Sequence, residues 1–89
     1  MNIYYTHAVH TMQDGTLTTT CKVYESDLGW SDFLMGPAKD RIRWIFAQPV
    51  GDAMITFHVH TEAQRLGEDL VPLTKTFQPA EILRIIEDA

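Results

Sequence analysis

Residues 54–62 read MITFHVHTE, and they carry the clearest structural pattern in the sequence. Apolar and polar residues alternate along it, which indicates a β-strand with one buried face. We expect Ile55, Phe57 and Val59 to point into a core, whereas His58 and His60 share the opposite face. The chain is therefore expected to form a sheet with one apolar face and one face that carries histidines.

A β-hairpin is predicted before this strand. Residues 3–12 and 16–24 are rich in β-branched and aromatic side chains, and Asp14-Gly15 between them is a strong hairpin signal. Because side chains alternate between the two faces of a strand, the hairpin divides into two sets. We expect the apolar face to carry Ile3, Tyr5, His7, Val9, Leu17, Thr19, Cys21 and Val23. We expect the open face to carry Tyr4, Thr6, Ala8, His10, Thr18, Thr20, Lys22 and Tyr24, together with Thr56, His58 and His60.

Residues 41–48 fit two structures. As a strand, they would turn Ile42, Trp44 and Phe46 inward and both arginines outward. As a helix starting at Pro37, they would present an apolar stripe at helical spacing. Aromatic and β-branched residues favour the strand, which would form a second hairpin with residues 54–62.

The end of the chain predicts a helix that begins near Pro79. Ile82, Leu83 and Ile86 form its apolar stripe, and proline is common at the first helical turn. The fold class is then α+β, with a small antiparallel sheet of about four strands (two hairpins) and this C-terminal helix packed on one face. Residues 1–89 are expected to form a single domain.

Size and charge restrict the kind of function. The 89 residues leave room for only a thin core, so homodimerisation would be an economical way to enlarge it. Seven basic and twelve acidic residues give a net charge of −5, which disfavours nucleic acid and anionic membranes as partners. The start of the chain lacks the pattern of a secretory signal, and no apolar run is long enough to span a membrane, so we expect a cytoplasmic protein.

The predicted open face is a candidate docking surface. Tyrosine and arginine are enriched in protein–protein interfaces, although threonine and tyrosine also occur on solvated sheet faces because they suit β-structure. Trp30, in a connector bounded by glycine and proline, could serve as a peripheral anchor. The candidate partner-binding residues are Tyr4, Tyr24, Trp30, Arg41, Arg43, His58 and His60.

The two histidines also suggest an alternative, a metal site. Side chains two positions apart on a strand lie roughly 6.5–7 Å apart, and two imidazoles at that spacing can meet at one zinc or iron ion. His10 or Glu62 would have to supply a further ligand, the latter only if the chain bends after Thr61. The candidate metal ligands are His58, His60, His10 and Glu62.

No catalytic arrangement accompanies these residues. The sequence contains neither a nucleophile motif nor a phosphate-binding or dinucleotide-binding loop, and Cys21 is its single cysteine. We expect a non-enzymatic protein-binding module without a cofactor, acting as an inhibitor or adaptor of a macromolecular partner, for instance one encoded by a phage or other mobile element. The alternative is a metal-binding protein or a small metal-dependent enzyme that uses the His58/His60 pair.

Overall fold

The computed structural model describes residues 2–47, 54–61, 64–66 and 69–88. The described strands are β1 (Asn2–Thr11), β2 (Leu17–Ser26), β3 (Met54–Thr61), β4 (Gln64–Leu66), β5 (Asp69–Val71) and β6 (Thr74–Phe77). The described helices are α1 (Trp30–Phe33), α2 (Lys39–Phe46) and α3 (Pro79–Glu87), and a wider π-helical turn (Leu34–Ala38) joins α1 to α2. Residues 30–46 are therefore helical throughout.

Four strands form one antiparallel sheet in the order β2-β1-β3-β6, and β4 and β5 form a separate two-stranded antiparallel sheet. The predicted first hairpin is confirmed, with its turn at residues 13–15. Gly15 has a φ of 87°, a left-handed conformation that glycine adopts without steric cost. The Asp14 carboxylate fixes the turn by accepting bonds of 3.0 Å and 2.7 Å from the backbone N–H and the hydroxyl of Thr16.

The predicted α+β class, the four-stranded sheet and the C-terminal helix are confirmed, but the second hairpin is wrong. Residues 41–46 are helical, and the fourth strand comes instead from Thr74–Phe77. The helix is favoured because it buries Ala38, Ile42 and Ile45 along one side, at spacings of four and three residues. Burial along this stripe outweighs the strand preference of the aromatic and β-branched residues.

The π-helical turn has a local cause in Pro37. Proline has no N–H to donate, and within a regular α-helix its ring would clash with the carbonyl four residues before it. A widened turn at this position accommodates the ring without ending the helix. The turn also sets which residues of α2 face the sheet.

The three helices and the sheet enclose one apolar core. Ile55, Phe57 and Val59 lie in it as predicted, and Phe33, Ile42 and other buried residues cover them. In α3, Ile82 and Ile85 are buried, whereas Leu83, expected in the buried stripe, is 55% exposed. A capping box between Gln78 and Glu81 starts this helix.

The expected faces of the first hairpin are inverted. Thr6 lies opposite Val59 and Ala8 opposite Phe57, so both share a face with the core residues of β3 and are fully buried. The Thr6 hydroxyl donates to the Lys22 carbonyl at 2.9 Å, which satisfies a polar group inside the core. Ile3, Tyr5, His7 and Val9, expected in the core, instead share the outer face of the sheet with His58 and His60.

Candidate functional site

Two of the predicted partner-binding residues lie at the core: Tyr4 belongs to it, and Trp30 packs against it. Tyr4 is fully buried, and its ring stacks on Phe33 with 3.8 Å between centroids and 9° between planes. Its hydroxyl donates to the Leu28 carbonyl. The Trp30 ring is half-buried and lies 6.3 Å from Tyr4 on the same side of the sheet. The placement of Tyr4 on an open face is therefore wrong, because the register with β3 turns it towards the helices.

His58 and His60 do lie on the open face of β3, where both are half-buried. His58 is opposite His7 in the register, and its Nδ1 shares a hydrogen bond of 2.9 Å with the Thr76 hydroxyl. His60 Nδ1 shares a bond of 3.3 Å with the Thr74 hydroxyl. Threonines of the neighbouring strand thus orient both imidazoles.

The structure does not assemble the predicted metal ligands. His10 lies opposite Ile55, so its side chain is on the helix side of the sheet and cannot join His58 and His60 on the other side. Glu62 lies outside the described residues. Within the described part of the chain, no group of three or more histidine, cysteine, aspartate or glutamate side chains is arranged to hold a metal ion.

Tyr24 and Arg41 meet in a groove between β2 and α2. The groove has a volume of about 510 Å³. Its lining residues are Lys22, Tyr24, Pro37, Asp40, Arg41 and Trp44. We call it the β2–α2 groove.

The walls of the β2–α2 groove consist of paired cations and aromatic rings. The Arg41 guanidinium lies 4.5 Å from the centre of the Trp44 ring, and the Lys22 ammonium lies 4.8 Å from the centre of the Tyr24 ring. Such cation–π contacts stabilise the groove walls and hold the rings in place. Trp44 is nevertheless 55% exposed, so most of its surface faces solvent.

Partial burial also defines the charge state of Tyr24. Desolvation raises the pKa of its phenol above the ordinary 10.0, Arg41 opposes this shift, and Asp40 adds to it. The phenol is therefore neutral at physiological pH and can both donate and accept a hydrogen bond. Its ring contacts Phe33 edge-on at 5.3 Å between centroids, which anchors the groove to the core.

Strand β2 borders this groove and forms an outer edge of the four-stranded sheet. The Met12 N–H donates a hydrogen bond to the Thr16 carbonyl at 2.9 Å, which shows that this pair of residues is a hydrogen-bonded one. Hydrogen-bonded and non-hydrogen-bonded pairs alternate along an antiparallel ladder, so the even-numbered residues of β2 form the backbone hydrogen bonds with β1. The backbone N–H and C=O groups that point to the free edge are those of Leu17, Thr19, Cys21, Val23 and Glu25.

Arg43 is separated from Arg41, contrary to the expectation that both arginines lie on one face. It forms an ion pair of 3.1 Å with Asp40 and lines a different groove, between the helices. The cause is the helical conformation of α2, in which residues two positions apart point in different directions. In the predicted strand they would have shared one face.

Sequence reasoning missed Trp44 as a functional candidate, because the strand interpretation turned it inward. The signal that could have found it is Pro37 at the start of a helical stripe. Arg41 and Trp44 are three positions apart in the sequence. In a helix that begins at Pro37, side chains at this spacing are neighbours.

Comparison with known proteins finds no match among protein-family models, curated proteins or solved structures. Among the described residues, no helix is long and apolar enough to cross a membrane.

Proposed function

We propose that this chain is a protein-binding module that captures an extended segment of a partner protein at the free edge of β2, beside the β2–α2 groove. The observation that carries the proposal is the position of an exposed tryptophan, Trp44, with its stacked arginine, next to a long strand edge that pairs with no other described strand. Tryptophan, tyrosine and arginine dominate the binding energy of protein interfaces.

The strand edge supplies the affinity. β2 is ten residues long, and the side chains of residues 17–23 are all exposed. Soluble proteins usually protect such an edge with proline, a bulge or a covering loop, because its free N–H and C=O groups readily pair with another chain. An added partner strand would satisfy these groups, as peptides do in β-augmentation.

The β2–α2 groove supplies the specificity. A partner strand beside β2 directs alternate side chains towards the helices, on the side where Tyr24 and Trp44 lie. Lys22 and Arg41 outnumber Asp40 in the groove, so the partner segment is expected to carry an acidic side chain two positions from an aromatic or aliphatic one. The tryptophan and tyrosine rings would receive that apolar side chain.

Binding of this kind suits an adaptor or inhibitor located in the cytoplasm, since it requires no catalytic group and no membrane contact. The charged lining residues of the β2–α2 groove are two cations and one acid, which suits a single acidic side chain better than the continuous row of phosphates in a nucleic-acid backbone. A second copy of this chain could compete for the edge, and the homodimer is therefore an outcome that the experiment must separate from capture of a partner.

The test uses a display library of random 12-residue peptides selected against the purified protein. Selected peptides should contain an acidic residue within a strand-forming sequence and should shift the backbone amide resonances of β2 and α2. Val23→Pro should abolish their binding while the fold persists, because the Val23 N–H points to the free edge and proline is tolerated there. Trp44→Ala should weaken binding by more than about tenfold, which corresponds to a typical hot spot.

Leu83→Ala is the matched control, since Leu83 is as exposed as Trp44 but lies on α3. Peptides that map to the outer face around His58 and His60, or that survive Val23→Pro, would refute the edge assignment. Sedimentation of the protein alone tests the homodimer: a concentration-dependent dimer that Val23→Pro dissolves would assign the edge to a second copy instead.

A further inference from the structure

A second groove lies between the helices, on the other side of α2 from the β2–α2 groove. It has a volume of about 360 Å³, within the range of small-molecule sites. Its lining residues are Leu34, Met35, Lys39, Arg43, Lys75, Phe77, Glu81, Arg84, Ile85 and Asp88. We call it the interhelical groove.

The apolar part of the interhelical groove is available to a ligand. Phe77 and Ile85 are core residues that reach its floor, and Leu34 packs against the same core. Met35 is 67% exposed at its rim, although methionine is normally a residue of interiors. Methionine has a flexible, polarizable side chain, so it can adapt to the shape of a small apolar body.

The charges of the interhelical groove leave a small positive excess. Four of the seven lysines and arginines of this acidic chain line it. Lys75 is paired with Glu81 at 3.1 Å, and Arg43 is paired with Asp40 at the same distance. The four cations are thus set against two lining acids, Glu81 and Asp88, and against Asp40 from outside the lining, which leaves an excess of about one positive charge.

One polar atom in the groove wall is unsatisfied. The Nε–H of Arg43 is buried and has no hydrogen-bond acceptor among the described residues. The buried atom has no surface that a ligand in the groove can reach, so an anion would meet the remaining cations of the rim, Lys39 and Arg84.

We propose that the interhelical groove binds a small amphipathic monocarboxylate. Its apolar body lies against Met35, Phe77 and Ile85, and its carboxylate meets the cations of the rim. The volume suits a short aliphatic or arylalkyl chain, and the excess of one charge matches a monoanion better than a polyphosphate. This site is independent of the β2 edge and shares no lining residue with the β2–α2 groove.

The experiment titrates the full chain with octanoate and follows backbone amide shifts by NMR, with octanamide as the uncharged analogue. Octanoate should bind saturably at one site, with the largest shifts in α2, β6 and α3. Octanamide should bind about tenfold more weakly, because it lacks the charge that the rim recognises. The double variant Lys39→Gln/Arg84→Gln should lose about the same factor in its affinity for octanoate.

Two matched variants separate a site from general charge and surface effects. Lys22→Gln/Arg41→Gln removes two cations from the β2–α2 groove and should leave octanoate binding unchanged. Met35→Gln should weaken binding, whereas Leu83→Gln, on another exposed apolar residue that lies outside the groove, should not.

The proposal is overturned by linear, non-saturating shifts, by equal affinity for octanoate and octanamide, or by equal losses in the two double variants. An acidic peptide that binds the same residues more tightly than octanoate would also overturn it, since the groove would then be a protein interface.

Discussion

Replacement of Tyr4 by alanine should be among the most destabilising single changes in the chain. The side chain is fully buried, stacks on Phe33 at 3.8 Å, and donates to the Leu28 carbonyl. A buried tyrosine removes roughly 150–250 Å² from water, which at about 25 cal/mol per Å² corresponds to about 4–6 kcal/mol. Measured losses for large aromatic residues are about 3–5 kcal/mol, and we expect this range for Tyr4→Ala.

That loss is large relative to the total free energy of unfolding of the chain. At about 0.05–0.15 kcal/mol per residue, a chain of 89 residues has a free energy of unfolding of roughly 4–13 kcal/mol. Tyr4→Phe keeps the stacked ring and removes only the hydroxyl. The Leu28 carbonyl still accepts a bond of 3.0 Å from the Asn2 amide, so this variant should lose only about 1 kcal/mol, or about 4–8 °C in Tm.

Tyr5→Ala is the control, because Tyr5 is the next residue and points to the opposite face. It is half-buried, with its ring 6.1 Å from His60, and a cross-strand pair of this kind contributes up to about 1 kcal/mol. Urea unfolding followed by circular dichroism gives the change in the free energy of unfolding for each of the three variants. If Tyr5→Ala costs as much as Tyr4→Ala, the faces of β1 are not as described, and the reasoning fails.

Three further predictions concern the turn, an ion pair and metal. Gly15→Ala should lower the free energy of unfolding, measured in urea, by about 1–2 kcal/mol. The cause is the backbone conformation alone, because a φ of 87° disfavours a Cβ atom, whereas no other atom lies within 4 Å of the position it would take. Gly15→Asn should cost less. The hydrogen bond from Lys75 lowers the pKa of Glu81 in the folded state below its ordinary 4.5. The pair therefore stabilises the fold at a pH above 4.5, and this stabilisation is lost as the pH falls through the lowered pKa of the folded state. Since both side chains are more than a third exposed, Glu81→Gln, which can keep the helix cap, should cost less than about 1 kcal/mol at pH 7 and nothing near pH 2. Zinc should not raise Tm, and a chelator should not lower it, because His10 lies on the other side of the sheet from His58 and His60; a stoichiometric metal lost in His58→Ala/His60→Ala would restore the metal alternative.

The parts of the fold that the sequence predicts are those that local chemistry decides. Asp14-Gly15 specifies a turn, the alternation in β3 specifies its buried face, and Pro79 marks the start of α3. Local chemistry does not decide which face of β1 is buried, because aromatic and apolar residues occur on both faces. Long-range pairing with β3 decides between them, and it places Ala8 and Thr6, which are small, beneath the helices.

The site could be predicted only in part for the same reason. Interface chemistry predicts Tyr24 and Arg41 as contact residues, and the structure brings them together. The same chemistry does not identify their neighbour Trp44, because residues 41–46 have strand-like side chains but bury a helical stripe. Secondary structure here depends on tertiary packing, which no short window of sequence contains.

The distribution of charge connects the two proposed sites. A net charge of −5 favours basic partners when it is considered for the chain as a whole, yet six of the seven cations line the two grooves that flank α2. At physiological ionic strength charges act over only about 8 Å, so a ligand responds to the groove it enters rather than to the net charge. The β2–α2 groove should therefore favour an acidic peptide strand and the interhelical groove a small carboxylate, and both interactions should weaken as salt is added. A basic peptide that bound either groove more tightly than an acidic one would show that the net charge, and not this local arrangement, controls recognition.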